Sequence, residues 1–170
     1  MQIKVDLERG CLPDRFTKHA AAADLVGGVP GRSFPFAVSD LPAGTKTLAL
    51  TLVDYDSIPV CGFAWIHWLA ANLPASWTQV PENASRTPEL AAKFVQGKNS
   101  NANRFAPREP VTQVGYTGPQ PPDKRHDYTL TVYALDAALP LEDGYWANDF
   151  RRARQGHVLA TAQLALPCEA

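Results

Sequence analysis

The chain has no excess of either charge: 16 Lys and Arg stand against 17 Asp and Glu, for a net charge of −1. Binding to nucleic acid by counterion release needs a basic face. Only Arg151, Arg152 and Arg154 cluster, and that stretch reads as a solvated helix face. Cysteine is scarce. Cys11, Cys61 and Cys168 are odd in number, widely separated and without paired metal-ligand spacing, which argues against a zinc site. Long apolar runs are missing as well. The longest, Gly62 to Ala71, contains His67 and is too short to span a bilayer. Met1 to Gly10 alternates charges with single apolar residues, so no secretory pattern opens the sequence. These absences predict a cytoplasmic protein with reduced thiols, no cofactor, no metal, no nucleic-acid partner and no stable membrane insertion.

Catalytic templates are lacking too. There is no Gly-x-Ser-x-Gly elbow, no His-Glu-x-x-His helix, no Walker loop and no dinucleotide glycine fingerprint. A metal triad of Asp54, His67 and His126 would have no local ligand pair, and Cys61 has no visible activating partner. No catalytic residue is therefore assigned.

What is present is a β-rich pattern in 170 residues, a length that suits one domain with a real core. Fifteen prolines favour many turns over long helices. Leu48 to Val53 is almost unbrokenly apolar and predicts a central strand buried on both faces. Phe63 to Leu73, ended by Pro74, predicts a second. Tyr128 to Leu135 alternates as a half-buried strand does, and His157 to Leu166 predicts a late one. Helices are expected only at Glu89–Val95 and at Asn148–Gln155, the latter with Asn148 as N-cap. Gln96 to Pro122, rich in Gly, Asn, Pro and Ser, reads as a long functional or flexible loop. The expected fold is a single mainly-β domain over 1–170, a sandwich with Greek-key connections and a few short peripheral helices.

Several polar residues stand where such a scaffold could build a pocket. Asp54 ends the Leu48–Val53 strand, as a binding carboxylate or as the cap of the turn before Pro59. His67 is the lone polar residue in Phe63-Ala64-Trp65-Ile66-His67-Trp68-Leu69. Its imidazole must face a cavity or find a backbone partner, because unpaired burial costs about 1–3 kcal/mol. His126 and Tyr128, one residue apart, project to the same face at the entry to a strand. They read as a pocket mouth or as a rim pair. Pro121-Pro122 just before them can fix a wall without offering N–H donors.

These segments, in this order, resemble the phosphatidylethanolamine-binding protein family in its bacterial Raf-kinase-inhibitor-like branch. Asp54-Tyr55-Asp56-Ser57-Ile58-Pro59 is similar to the family's Asp-Pro-Asp-Ala-Pro, one residue longer and with Tyr55 in place of a proline. His67-Trp68 with Asn72-Leu73-Pro74, Gly97-Lys98-Asn99-Ser100, Gly118 to Tyr128 and Gly156 to Ala160 resemble further family segments. Asp123-Lys124-Arg125 departs from it, lacking the usual glycine, so that Lys124 or Arg125 could narrow or charge the mouth. The resemblance implies the family fold and a small pocket for phosphate-like anions, lined by Asp54, His67, Pro122, His126 and Tyr128.

Three functions stay open on these grounds. The leading one is a non-enzymatic binding module for a small phosphorylated or other anionic ligand, regulating a protein partner. The second is a small hydrolase or transferase with His67 and His126 as acid and base. The third is an interaction protein with a vestigial pocket, such as a homodimer.

Overall fold

Side chains alternate across a strand, so a strand that is apolar at every position must be covered on both faces. Leu48 to Val53, interrupted only by the half-buried Thr51, comes close to that rule. In the computed structural model, which describes residues 1–170, ten strands and three short α-helices follow one another. They are β1 (Gln2–Lys4), β2 (Leu25–Val26), β3 (Val29–Pro30), β4 (Phe36–Ser39), β5 (Thr47–Asp54), α1 (Ile58–Cys61), β6 (Trp65–Pro74), β7 (Gln79–Val80), α2 (Pro88–Ala91), β8 (Val95–Gln96), β9 (His126–Leu135), α3 (Ala147–Ala153) and β10 (Val158–Cys168). A five-stranded sheet runs β10-β9-β5-β6-β8, with β5 at its centre, and every neighbour pair is antiparallel.

Leu48, Leu50 and Leu52 point from β5 into the larger core, with Trp68, Leu130 and Val132 from its neighbours. Phe34, Phe36 and Val38, on and beside β4, close that core from the three-stranded sheet β1-β4-β7. The opposite face of β5 carries Ala49, which joins Leu69, Ala71 and Leu135 under Phe150 of α3 and Tyr145. The architecture is a mainly-β sandwich with short helices outside it. No helix is long and apolar enough to cross a membrane.

The four long strands fall where the apolar runs place them, with ends that shift by one or two residues: β6 starts at Trp65 rather than Phe63, and β10 at Val158 rather than His157. The helices differ. Glu89–Val95 was expected as one helix, but α2 is a single turn, Pro88–Ala91. Val95 instead pairs with Ala71 as part of β8, because the sheet edge offers it backbone partners. Asn148 is not an N-cap: α3 starts at Ala147, and the Asp149 carboxylate accepts from the Trp146 N–H at 3.2 Å. An acidic side chain one turn in can close a helix end without a capping asparagine.

The Gln96–Pro122 stretch is irregular but tied down. Buried Asn99 donates to the carbonyls of Thr112 (2.7 Å) and Gly115 (2.9 Å), and Asn101 reaches Thr112 at 3.3 Å. Ser100 Oγ accepts from the Ile66 N–H at 2.8 Å, which fastens the loop to β6. Gly118 then passes so close to the N-terminal segment that its N–H donates to the Pro30 carbonyl at 2.8 Å. A Cβ there would lie 2.6 Å from Pro30 Cβ and against the Phe16 carbonyl. Gly118→Ala is therefore expected to lower stability by about 1–3 kcal/mol, since backbone cannot yield as a side-chain tip can. Urea denaturation measures it, and an unchanged midpoint would show that the two segments can part at no cost.

Candidate functional site

Where β5 ends, the chain turns sharply and Asp54 is locked into that turn. Its Oδ1 accepts from the Ser57 N–H at 3.1 Å, while Ser57 Oγ lies 2.8 Å from the Asp54 carbonyl. Ser57 Oγ also accepts from the Trp65 N–H at 2.9 Å, which sets the start of β6. Asp56 accepts from the Asp127 N–H at 2.9 Å and joins the turn to β9. The turn is held by these bonds, so Tyr55, exposed at 55 %, need not supply a proline's rigidity. Asp54 thus caps the turn and also reaches a cavity.

That cavity holds about 180 Å³ and is walled by Asp54, His67, Pro122 and Tyr128 together with Trp65, Asn101, Arg108 and Gln120. Four of the five expected residues meet there. His126 does not line it. Its ring stands behind Asp54, with Nδ1 2.8 Å from Asp54 Oδ2 and Nε2 3.0 Å from Asp123 Oδ1. Lys124 and Arg125 do not line it either. Arg125 instead reaches Asp127 and Glu169 at 3.8 and 3.6 Å.

The two histidines occupy opposite electrostatic states. His67 Nδ1 is 2.8 Å from the Thr117 carbonyl, which can only accept, so Nδ1 carries the proton. Burial opposes a second proton and pushes the His67 pKa down to about 4, although the Thr117 carbonyl and Asp54 both favour the charged ring. A neutral His67 then presents Nε2 as an acceptor. For His126, burial also disfavours charge, but the bonds to Asp54 and Asp123 outweigh it and raise the pKa. Two carboxylates on two ring nitrogens require two N–H donors, and that is the imidazolium. Asp123 is correspondingly held below its ordinary range: burial pulls it upward, and the His126 bond overrides that.

Tyr128 sits edge-on to His67, ring centroids 5.0 Å apart. Burial, and then the Asp54 charge, raise its pKa, so its hydroxyl stays protonated. Arg108 is the one cationic side chain in the wall. Sequence reading missed it, along with Asn101 and Gln120. All three lie in the aperiodic Gln96–Pro122 stretch, where no spacing signals which side chain turns inward.

The profile of the phosphatidylethanolamine-binding protein family matches residues 3–169, nearly the whole chain. The chain belongs to that family. Among its relatives, the Bacillus subtilis protein YxkA is 47% identical over 156 residues, covering 91% of this chain and 92% of its own. A protein of Chlamydia muridarum is 36% identical over 137 residues, 79% of this chain and 80% of its own. A Chlamydia trachomatis crystal structure described as a homologue of this family superposes with a TM-score of 0.73 at 30% identity. It matches 94% of this chain and 90% of its own. Escherichia coli YbcL, described as a new member of the mammalian family, superposes at a TM-score of 0.75 over 99% of this chain and 98% of its own. At 24% identity, that likeness speaks to the fold alone.

The two histidines give opposite pH effects on stability. With a folded pKa above the unfolded value of about 6.5, His126 stabilises the fold below that pH. Its contribution is lost as pH rises through the folded pKa. With its pKa lowered to about 4, His67 contributes stability above pH about 6.5 that is lost as pH falls towards 4. Imidazole NMR titration should place His126 above, and His67 well below, the ordinary histidine range. His67→Asn should flatten the acid side of the stability profile. A His67 that titrates at an ordinary value would show that its ring is solvated.

Proposed function

We propose that the 170 residues form one non-enzymatic binding domain, working in the cytoplasm, whose pocket takes a phosphate-like anion or phospho head group. The observation that carries this reading is the charge arrangement around the cavity. Asp54, the one carboxylate in the wall, is compensated from behind by the His126 imidazolium. Arg108 supplies positive charge, and the Tyr128 hydroxyl and the Gln120 amide add neutral polar groups to the wall. A pocket of about 180 Å³ suits a phosphate with a short substituent.

His67 couples binding to protons. Its free Nε2 accepts, so an anion must bring a hydroxyl proton or draw one onto the ring. Either route adds a proton to the complex, and affinity should therefore rise as pH falls from 7 towards 5. Asp54 suits the ammonium end of a zwitterion such as phosphoethanolamine. The acid–base pair of His67 and His126 finds little support here, because His126 does not line the cavity and both its nitrogens are already held by Asp54 and Asp123.

A second reading rests on a different surface. Phe63, Phe105 and Trp146 wall an apolar groove beside the pocket, with Phe105 exposed at 97 %. Such a groove favours a protein contact, and either a regulated partner or a second copy of the chain would cover it. Sedimentation of wild type against Phe105→Asp tests the second copy: a dimer lost in the variant supports it, and a monomer throughout removes it.

For the pocket, heteronuclear NMR titration with inorganic phosphate and with phosphoethanolamine is the decisive measurement. Saturable shifts should cluster at Asp54, His67, Arg108 and Tyr128 and strengthen at lower pH. Arg108→Ala should weaken phosphate about tenfold or more, the effect of removing one charge-assisted bond. His67→Ala should abolish saturation. No saturable shift at millimolar ligand would sink the reading.

A further inference from the structure

The fold brings two of the three cysteines to one place, although 156 residues separate them along the chain. The peptide joining Cys11 to Leu12 donates its N–H to the peptide joining Pro167 to Cys168, at 2.8 Å. Segments linked by such a bond run about 4.7–4.9 Å apart. Disulfide-bonded Cα atoms lie about 4.4–6.8 Å apart. A second contact fastens the same place, for Cys11 Sγ lies 3.3 Å from Glu169 Oε1. The Cys168 thiol is buried with Leu12 and Phe16 in the larger core, and its titration feels the charge of Cys11. All three cysteines are free thiols in this structure.

We infer that Cys11 and Cys168 are a dithiol pair that closes to a disulfide under an oxidising poise, stapling the N-terminal segment to the end of β10. The inference is independent of what the pocket binds. The chemistry balances with a low-molecular-weight disulfide as oxidant. Half-exposed Cys11 is the more accessible thiol of the two; burial and Glu169 raise its pKa, so it is the minor thiolate fraction that attacks the small disulfide. One S–S bond breaks, a mixed disulfide forms on Cys11, and one small thiol leaves. Cys168 then gives up its proton and attacks Cys11 Sγ, expelling the second small thiol. Two protein thiols are oxidised, one small disulfide is reduced to two thiols, and the protons pass to those leaving groups.

The order of events follows from the environment of each sulfur. Burial pushes the Cys168 thiol up to about 12, so it reacts poorly with anything arriving from solution. Within the mixed disulfide it attacks a sulfur carried on the segment bonded to its own, where proximity replaces concentration. Cys61 is exposed beside the pocket with no thiol partner, so it ends as an adduct or an intermolecular bridge. The staple also bears on the site, because Cys168 lies opposite His126 in the β9–β10 register.

The test uses the full-length chain in mixtures of reduced and oxidised glutathione, with Cys61→Ser as the background that removes side reactions. Intact mass should show the loss of two hydrogens with no retained glutathione. Peptide mapping should find the Cys11 and Cys168 peptides linked. The oxidised protein should melt several degrees above the reduced one, and Cys11→Ser should lose both the link and that rise. A stable glutathione adduct on Cys11 with Cys168 still free would overturn the pairing, as would thiols that both stay reduced in excess oxidised glutathione. The comparison of oxidised with reduced Cys61→Ser protein needs no variant at the buried Cys168.

Discussion

The hydrogen bond between Asp54 and His126 is the contact on which the rest of the site depends. It joins the last residue of β5 to the first residue of β9, and both side chains are buried. A buried carboxylate needs compensation or it takes up a proton. Here a second carboxylate, Asp123, completes the arrangement by holding the far nitrogen of the same ring. The imidazolium is thereby shared between one buried and one half-exposed acid, and its charge stays next to the pocket wall. Removing any one of the three would leave an unpaired group where water cannot easily reach it.

Two histidines two strands apart are thus put to different uses by their partners. A carbonyl partner and deep burial keep His67 neutral and leave one nitrogen for a ligand. Two carboxylate partners keep His126 charged and leave it none. The pocket combines a compensated acid, a neutral acceptor, a protonated phenol and a single arginine.

Much of the scaffold was legible in the residues. Leu48–Val53 reads as a doubly covered strand because only Thr51 interrupts its apolar residues, and Tyr128–Leu135 as its half-buried neighbour because it alternates. The short strands β1 to β4 and β7 were not legible. They hold two to four residues each, so pairing with distant segments decides them rather than local pattern. Val95 shows the same effect in reverse, because a residue read as helical became an edge strand once Ala71 offered it a partner.

For the site, the sequence by itself determined residue types and their place at strand ends: Asp54 where an apolar run stops, His67 inside one, and Tyr128 on the same face as His126. Those are consequences of period and polarity along a single segment. Only the tertiary structure decided that His126 turns away to hold Asp54, that Arg108 enters the wall from an aperiodic loop, and that the segment of Cys11 is bonded to that of Cys168. Each of these depends on segments far apart in the chain meeting through backbone bonds and packing. Local spacing carries no information about which distant group will satisfy a buried polar atom.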